Sequence, residues 1–369
     1  MTSSTAAQRA ADPAEGLALV KPAVKAQPAY TLDAPVARRK LNQNEAPHDL
    51  PEHLKQEVMA RALAQPWHRY PEFVPKALVA KLAARFGQDP ESVLVGNGSN
   101  ELIQAALTVL LEPGDVVVAP SPTFSLYRLI TSVAGGRYMP VSFGQRFAYD
   151  EDLLLETAQR ENAKAVVVCT PNNPTGSAAS KGFVRRLLDE TDAMIVVDEA
   201  YQEYGGPTAL PLVHQSSRVL VLRTFSKALG LAGLRCGAAF VAPAVAREIA
   251  KAKLPYNVNH VTLAAAEVVL DNGDLVDAAV AETIAVRDRF TAALQQVKGF
   301  EPIPSCANFV LVRCKAVTPK QVYKAMLEQH GILLRDVSGA AELHDCLRVS
   351  IGTAEDMDAV LAGFQGLVR

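Results

Sequence analysis

Three stretches near the middle of the chain, AVVVC (165–169), MIVV (194–197) and VLVLR (219–223), are apolar almost throughout, with no alternation. A strand with one wet face alternates apolar and polar residues, whereas a strand that is apolar throughout has to be covered on both faces. Similar runs stand at Ser92–Val95, Asp115–Ala119 and Ala238–Val241, with helical patterns at Asn100–Leu111, Ser125–Val133 and Ser180–Glu190. Buried strands separated by helices predict an α/β fold: a large domain with a mostly parallel central sheet sandwiched by helices and right-handed crossovers. The 369 residues exceed one ordinary domain, and the pattern changes near Asn272. There Leu275–Val297 reads as one long amphipathic helix, followed by strands at Phe309–Arg313 and Cys346–Ile351 and a helix at Thr318–Gln329. The expected organisation is a flexible Ala/Pro-rich tail (1–28), a segment packing on the small domain (29–48), a large domain (49–270) and a smaller α+β domain (271–369).

Charge and cysteine usage exclude several classes of function. The net charge is −2, whereas nucleic acid and membrane surfaces both favour a basic face. The seven histidines show no metal-ligand spacing, so no metal site is expected. Five cysteines, an odd number without a CxxC pair, read as reduced thiols of a cytoplasmic protein. No apolar run reaches the roughly 18 residues of a membrane span, and the N-terminus lacks the charged start and apolar core of a secretory signal.

In open α/β sheets, ligands bind beyond the carboxyl ends of the strands, so the residues just past each run decide what the sheet edge can hold. SVLV leads to GNGSNEL (96–102), DVVVAP to SPTF (121–124), VVVCT to PNNPTG (171–176), MIVV to DEAYQEY (198–204) and VLVLR to TFSK (224–227). Each has an ordinary reading. Asp198 at a strand end suits a structural ion pair, Lys227 and Arg235 suit solvated cations, and Gly98-Ser99-Asn100 suits a plain helix start as well as an anion cradle. Lys227 is expected to open a helix. One ligand satisfies all of these groups, an aromatic aldehyde carrying a ring nitrogen and a phosphate. Lys227 would form an imine with it and Asp198 would keep the ring nitrogen protonated. Gly98, Ser99, Asn100, Thr224, Ser226 and Arg235 would cradle the phosphate, and Phe124 would cover the ring. That ligand is pyridoxal 5′-phosphate.

With PNNPTG, DEAYQEY and TFSKALGLAGLRCG in this order, the chain resembles the fold-type-I aminotransferases of the aspartate aminotransferase superfamily from about residue 30 to 369. Among them it is most similar to the histidinol-phosphate aminotransferases, on KLNQNEAP (40–47), RYPE (69–72), GNGSNELI (96–103), PTFSLY (122–127), PYNVN (255–259), ANFVL (307–311), GILLRD (331–336) and LRVSIGT (347–353). The resemblance implies amino transfer between histidinol phosphate and 2-oxoglutarate or glutamate. It implies Lys227, Asp198 and Tyr201 as catalytic residues, and Tyr201 and Asn173 as donors to the cofactor's phenolic oxygen. Tyr70 would reach the cofactor phosphate of a neighbouring subunit, making a homodimer. Arg348, Arg335, Asn44 and Tyr30 would line the substrate pocket; the family's PYxPG-like motif is only partly present, because this chain reads PAYTLDAP. Alternatives are an aromatic amino-acid aminotransferase, a threonine-phosphate decarboxylase and a cofactor-sensing regulator. The last would carry a DNA-binding head, and the first 28 residues show no helix-turn-helix pattern.

Overall fold

The structure, a computed structural model, describes residues 13–27 and 35–368. Its larger sheet has seven strands: β1 (Val93–Gly96), β2 (Val116–Ser121), β3 (Arg137–Ser142), β4 (Ala165–Cys169), β5 (Met194–Asp198), β6 (Val219–Thr224) and β7 (Gly237–Val241). They lie in the order β1-β7-β6-β5-β4-β2-β3. The pairings from β3 through β6 are parallel, and β7 is antiparallel to both of its neighbours. The sheet is therefore mostly parallel, with one reversed strand. Strand β3 falls outside the sequence expectation. It is an edge strand with mostly exposed or half-exposed residues, so it has no need of a continuous apolar run.

The pleat divides each buried strand between two cores. Val118, Val166, Val168, Ile195, Val197 and Val221 face the helices Glu52–Leu63, Lys76–Phe86, Phe183–Glu190 and His260–Asp271. Val117, Val167, Val196, Leu220 and Leu222 face Ser99–Leu110 and Pro243–Ala252. This is the two-sided burial that the absence of alternation requires.

A second, four-stranded antiparallel sheet holds β8 (Phe300–Pro302), β9 (Phe309–Cys314), β10 (Arg335–Asp336) and β11 (Cys346–Ser350) in the order β10-β11-β9-β8. The helices Pro319–His330 and Ala354–Gly366 cover one face through Val322, Met326, Val360 and Phe364. Both begin with a capping box, at Thr318 and Thr353, which satisfies the first free N–H groups of each helix. Arg39–Lys40 pairs in parallel with Ile332–Leu333, and Leu41 enters this core. The 22-residue helix Gly273–Leu294 serves both cores, with Val276 in the larger and Val286, Phe290 and Leu294 in the smaller. Where the sequence suggests a loose tail, residues 13–27 hold two short helices, Pro13–Ala18 and Pro22–Lys25, and Lys21 Nζ donates to Val133 O at 3.1 Å.

Candidate active site

Strand β1 is antiparallel to β7, and β7 is antiparallel to β6, so β1 points the same way as the parallel strands. Six carboxyl ends and the start of β7 therefore share one edge. A cleft of about 510 Å³ opens there, closed on its far side by Arg335 to Leu343 and Arg348 of the small domain.

At the floor of the cleft, Asp198 ends β5 and is buried. Its Oδ2 accepts from the Tyr127 hydroxyl at 2.6 Å and its Oδ1 from the Ala200 N–H at 3.0 Å. Burial pushes the carboxyl above its ordinary range, and these two donors oppose that shift. Lys227 comes after β6 within a run of turns, not at the opening of a helix. The next helical piece is the short 3₁₀ turn Ala232–Leu234. Lys227 Nζ donates to Gln43 O at 2.7 Å and lies 5.7 Å from the Tyr201 ring centroid. Burial, then the charges of Arg348 and Arg235, bring its amine down to about 7, against an opposing pull from Glu45. A lysine held this way is largely neutral at a pH where a surface lysine is fully charged.

The turns after Lys227 reverse the chain. Arg235 takes a left-handed conformation with φ 56° and ends beside the start of the helix after β1. Its Nη1 donates to Ser226 Oγ at 3.0 Å. A Cβ on Gly98 would stand 2.4 Å from Arg235 Nη2, and one on Gly237 would stand 2.4 Å from the Ser99 nitrogen. Backbone excludes a side chain at Gly237, and the left-handed φ of 75° disfavours one at Gly98; the closeness at Gly237 joins the start of helix Ser99–Leu110 to the start of β7. Gly98 gives no side-chain cap, so the first N–H groups of that helix face the cleft with Thr224, Ser226 and Arg235. Such an array suits a dianion.

On the small-domain side, Arg335 and Arg348 are cross-strand partners in β10 and β11. Arg348 donates to Asn173 Oδ1 and, at 2.8 Å, to Asn42 O, and it lies 5.3 Å from the Phe309 ring centroid. Among the described residues no carboxylate pairs with Arg335. Asn44, with φ 56°, donates from Nδ2 to the Tyr201 hydroxyl at 3.1 Å. Burial pushes the Tyr201 hydroxyl up to about 12, with Arg348 and Asn44 opposing.

The profile of the aminotransferase class I and II family matches residues 39–364. A histidinol-phosphate aminotransferase of Chlorobium luteolum is 36% identical over 95% of this chain and 98% of its own length. One from Chlorobaculum tepidum is 36% identical over 88% of this chain and 93% of its own.

The chain belongs to the class I and II aminotransferases.

A solved aminotransferase of the family, the histidinol-phosphate aminotransferase of Sinorhizobium meliloti in complex with pyridoxal-5′-phosphate, superposes with a TM-score of 0.85. It is 25% identical to this chain, and the match covers 95% of this chain and 98% of that one.

Of the residues expected at the site, the aminotransferase cleft is lined by Asn44, Ser99, Asn100, Phe124, Asn173, Asp198, Tyr201, Thr224, Ser226, Lys227, Arg235, Arg335 and Arg348. Gly98 sits just behind Arg235. Tyr70 stands elsewhere, 78% exposed and stacked on Tyr256 at 4.6 Å. Tyr30 lies outside the described residues. Sequence reasoning missed Tyr127 as a partner of Asp198. The only signal was its place three residues after Phe124, with which it makes an edge-to-face contact at 5.7 Å. It also missed Asn172, whose Nδ2 donates to Pro122 O and Thr175 Oγ1, both at 2.9 Å, and which anchors the loop that carries Asn173.

Proposed function

We propose that this aminotransferase binds pyridoxal 5′-phosphate and moves the amine between L-histidinol phosphate and 2-oxoglutarate, as a cytoplasmic step of histidine synthesis. The observation that carries the substrate is that Arg335 and Arg348 stand opposite each other on adjacent strands and both line the cleft that Lys227 lines. Two adjacent cations suit a phosphate end group, and they also accept the carboxylate of glutamate. The names of the Chlorobium luteolum and Chlorobaculum tepidum relatives support the same reading.

The donor set fits the cofactor. Ser99, Asn100, Thr224, Ser226 and Arg235 would hold its phosphate, and the space denied to a side chain at Gly237 keeps that cradle close-packed. When bound, the cofactor supplies an electron-poor ring that accepts the electron pair left on the substrate carbon as its proton departs. Asp198 holds a proton at the ring nitrogen, and Tyr127 and the Ala200 N–H fix the carboxylate for that role. Asn173 has its Oδ1 taken by Arg348, which leaves its Nδ2 as the group that would donate to the phenolic oxygen, together with the Tyr201 hydroxyl. Phe124 would cover the ring face. Lys227, brought down to about 7 and so carrying a substantial neutral fraction at that pH, would take the proton from the substrate Cα and return it to the cofactor C4′. Asn44 orients Tyr201 and borders the substrate pocket.

The assembly proposed is a homodimer in which Tyr70 reaches the partner's cofactor phosphate. Tyr70 stacks on Tyr256, which Phe73 meets edge to face, and Tyr70 and Phe73 are each more than half exposed. An aromatic patch of this kind suits an interface.

The deciding experiment is a single half-reaction on purified, cofactor-loaded protein, following loss of the lysine–cofactor absorption band. Histidinol phosphate is expected to convert the band fast, and phenylalanine slowly. The reverse order would make the enzyme an aromatic amino-acid aminotransferase, and release of carbon dioxide from threonine phosphate would make it a decarboxylase.

A further inference from the structure

The anionic end of the cleft contains a polar group that the proposed catalytic and binding roles leave unused. Asn42 is 2% exposed and lines the cleft beside Arg348. The residue before it is held on both backbone groups: Leu41 N–H donates to Leu333 O at 2.8 Å, and Leu41 O accepts from the Ser350 N–H at 3.1 Å. The Asn42 carbonyl accepts Arg348 Nη2. The side chain is free of these duties. Its Oδ1 is buried without a donor among the described residues, which leaves Nδ2 as the end of the amide that faces the cleft. Leu41 and Leu334 lie in the small-domain core, whereas their neighbours Asn42 and Arg335 line the cleft.

A buried amide beside the Arg348 guanidinium, in a cleft that Arg335 also lines, with no partner for Nδ2 among the described residues, is matched to a ligand acceptor. A carboxylate offers two oxygens, which Arg335 and Arg348 can satisfy between them. A phosphate monoester offers three terminal oxygens and a second negative charge. We propose that the Asn42 amide is the third donor of this pocket and sets its preference for a phosphate end group over a carboxylate. The proposal rests on histidinol phosphate being the substrate.

The test is Asn42→Ala in the cofactor-loaded enzyme, with the lysine–cofactor band reporting that the variant is folded and loaded. Loss of one hydrogen bond to a charged group is expected to raise KM for histidinol phosphate about tenfold more than KM for glutamate. Because Asn42 does not reach the reacting atoms, kcat should change by no more than about twofold. Asn42→Asp has the same shape and sets a negative charge beside the phosphate, so its loss should exceed that of Asn42→Ala. Equal KM losses for the two substrates would overturn the proposal, as would an Asn42→Asp variant no worse than Asn42→Ala. If the wild-type enzyme does not convert histidinol phosphate, the functional reading fails by itself. The clamp is then decided by inorganic phosphate as a competitor of glutamate. Inhibition weakened about tenfold in Asn42→Ala supports it, and an unchanged inhibition constant overturns it.

Discussion

In the proposed reaction Lys227 would carry the chemistry, because its surroundings lower its amine to near neutrality. The positive charges of Arg348 and Arg235 add to the cost of burying an ammonium ion, and together they bring the group to about 7. Capture of added cofactor by the cofactor-free protein needs the neutral amine. Its rate is therefore expected to climb about tenfold per unit below pH 7 and to level off above, as the absorption band reports. Arg348→Gln should move that midpoint upward; an unmoved midpoint would remove Arg348 from the cause. The same depression has a stability consequence. Between about 7 and 10.5 the unfolded chain holds a proton on this lysine that the folded chain does not, so its contribution makes the cofactor-free fold more stable as pH rises through that window. Asp198 behaves in the opposite sense. Its carboxyl is raised by burial, so the folded chain holds the extra proton and the contribution falls as pH rises past 3.8. Tyr127→Phe removes the 2.6 Å bond that favours the ionised carboxylate. The destabilisation should be about 1.5–3 kcal/mol at neutral pH, and it should shrink toward pH 4 when tracked by denaturant unfolding. A constant gap would mean that Asp198 is already protonated at neutral pH.

At the scale of the element, the site depends on strand ends meeting a helix start. Gly96 pairs with Gly237, and Gly237 pairs with Thr224, so three cradle-bearing segments converge at adjacent register positions. Gly237→Ala would drive a methyl group against the Ser99 nitrogen and the Gly98 carbonyl carbon, 2.4 and 2.6 Å away. The expected outcome is a loss of about 1–3 kcal/mol in stability with weakened cofactor retention, because the helix start must retreat. Full cofactor retention on gel filtration would show that the cradle does not depend on this contact. The reversed strand β7 also explains the spacing of Arg235, eight residues after Lys227. The turns bring the chain back to the edge it has just left, and Arg235 stands where β7 is about to begin. Sequence reasoning supposed a helix opening at Lys227, but the turns after it form no α-helix that would carry Arg235 away from Gly98 and Ser226.

For the whole molecule, the long helix Gly273–Leu294 joins two cores, and the cleft lies where their faces meet. The proposed dimer gives a prediction at this scale. Lys227→Ala and Tyr70→Ala should each be nearly inactive alone. When the two variants are mixed and allowed to exchange subunits, one site in each mixed dimer would combine an intact Lys227 with the partner's intact Tyr70. Activity should then return, toward half per mixed dimer. No recovery after proven exchange would place Tyr70 in the site of its own chain or outside the site altogether.

The buried strands, the order of the motifs and the residues at the strand ends were legible because each leaves a local trace. A strand covered on both faces must be apolar throughout, and a polar residue directly after it must lie at the sheet edge. Edge strand β3 left no such trace, since a strand exposed on one side tolerates Arg137, Tyr138 and Ser142. Nor did the contacts between distant segments. Tyr127 and Asp198 are 71 residues apart, and Lys227 and Gln43 are 184 apart. Sequence by itself determined the α/β class, the edge of the sheet at which the cleft opens and the family. Tertiary structure decided which groups touch: the reversal of β7, the amine of Lys227 held near neutrality, the pairing of Arg335 with Arg348 and the unused amide of Asn42. The physical reason is that backbone preferences and burial periodicity act over a few residues, whereas a charge or a hydrogen bond depends on whatever the folded chain brings within a few ångströms.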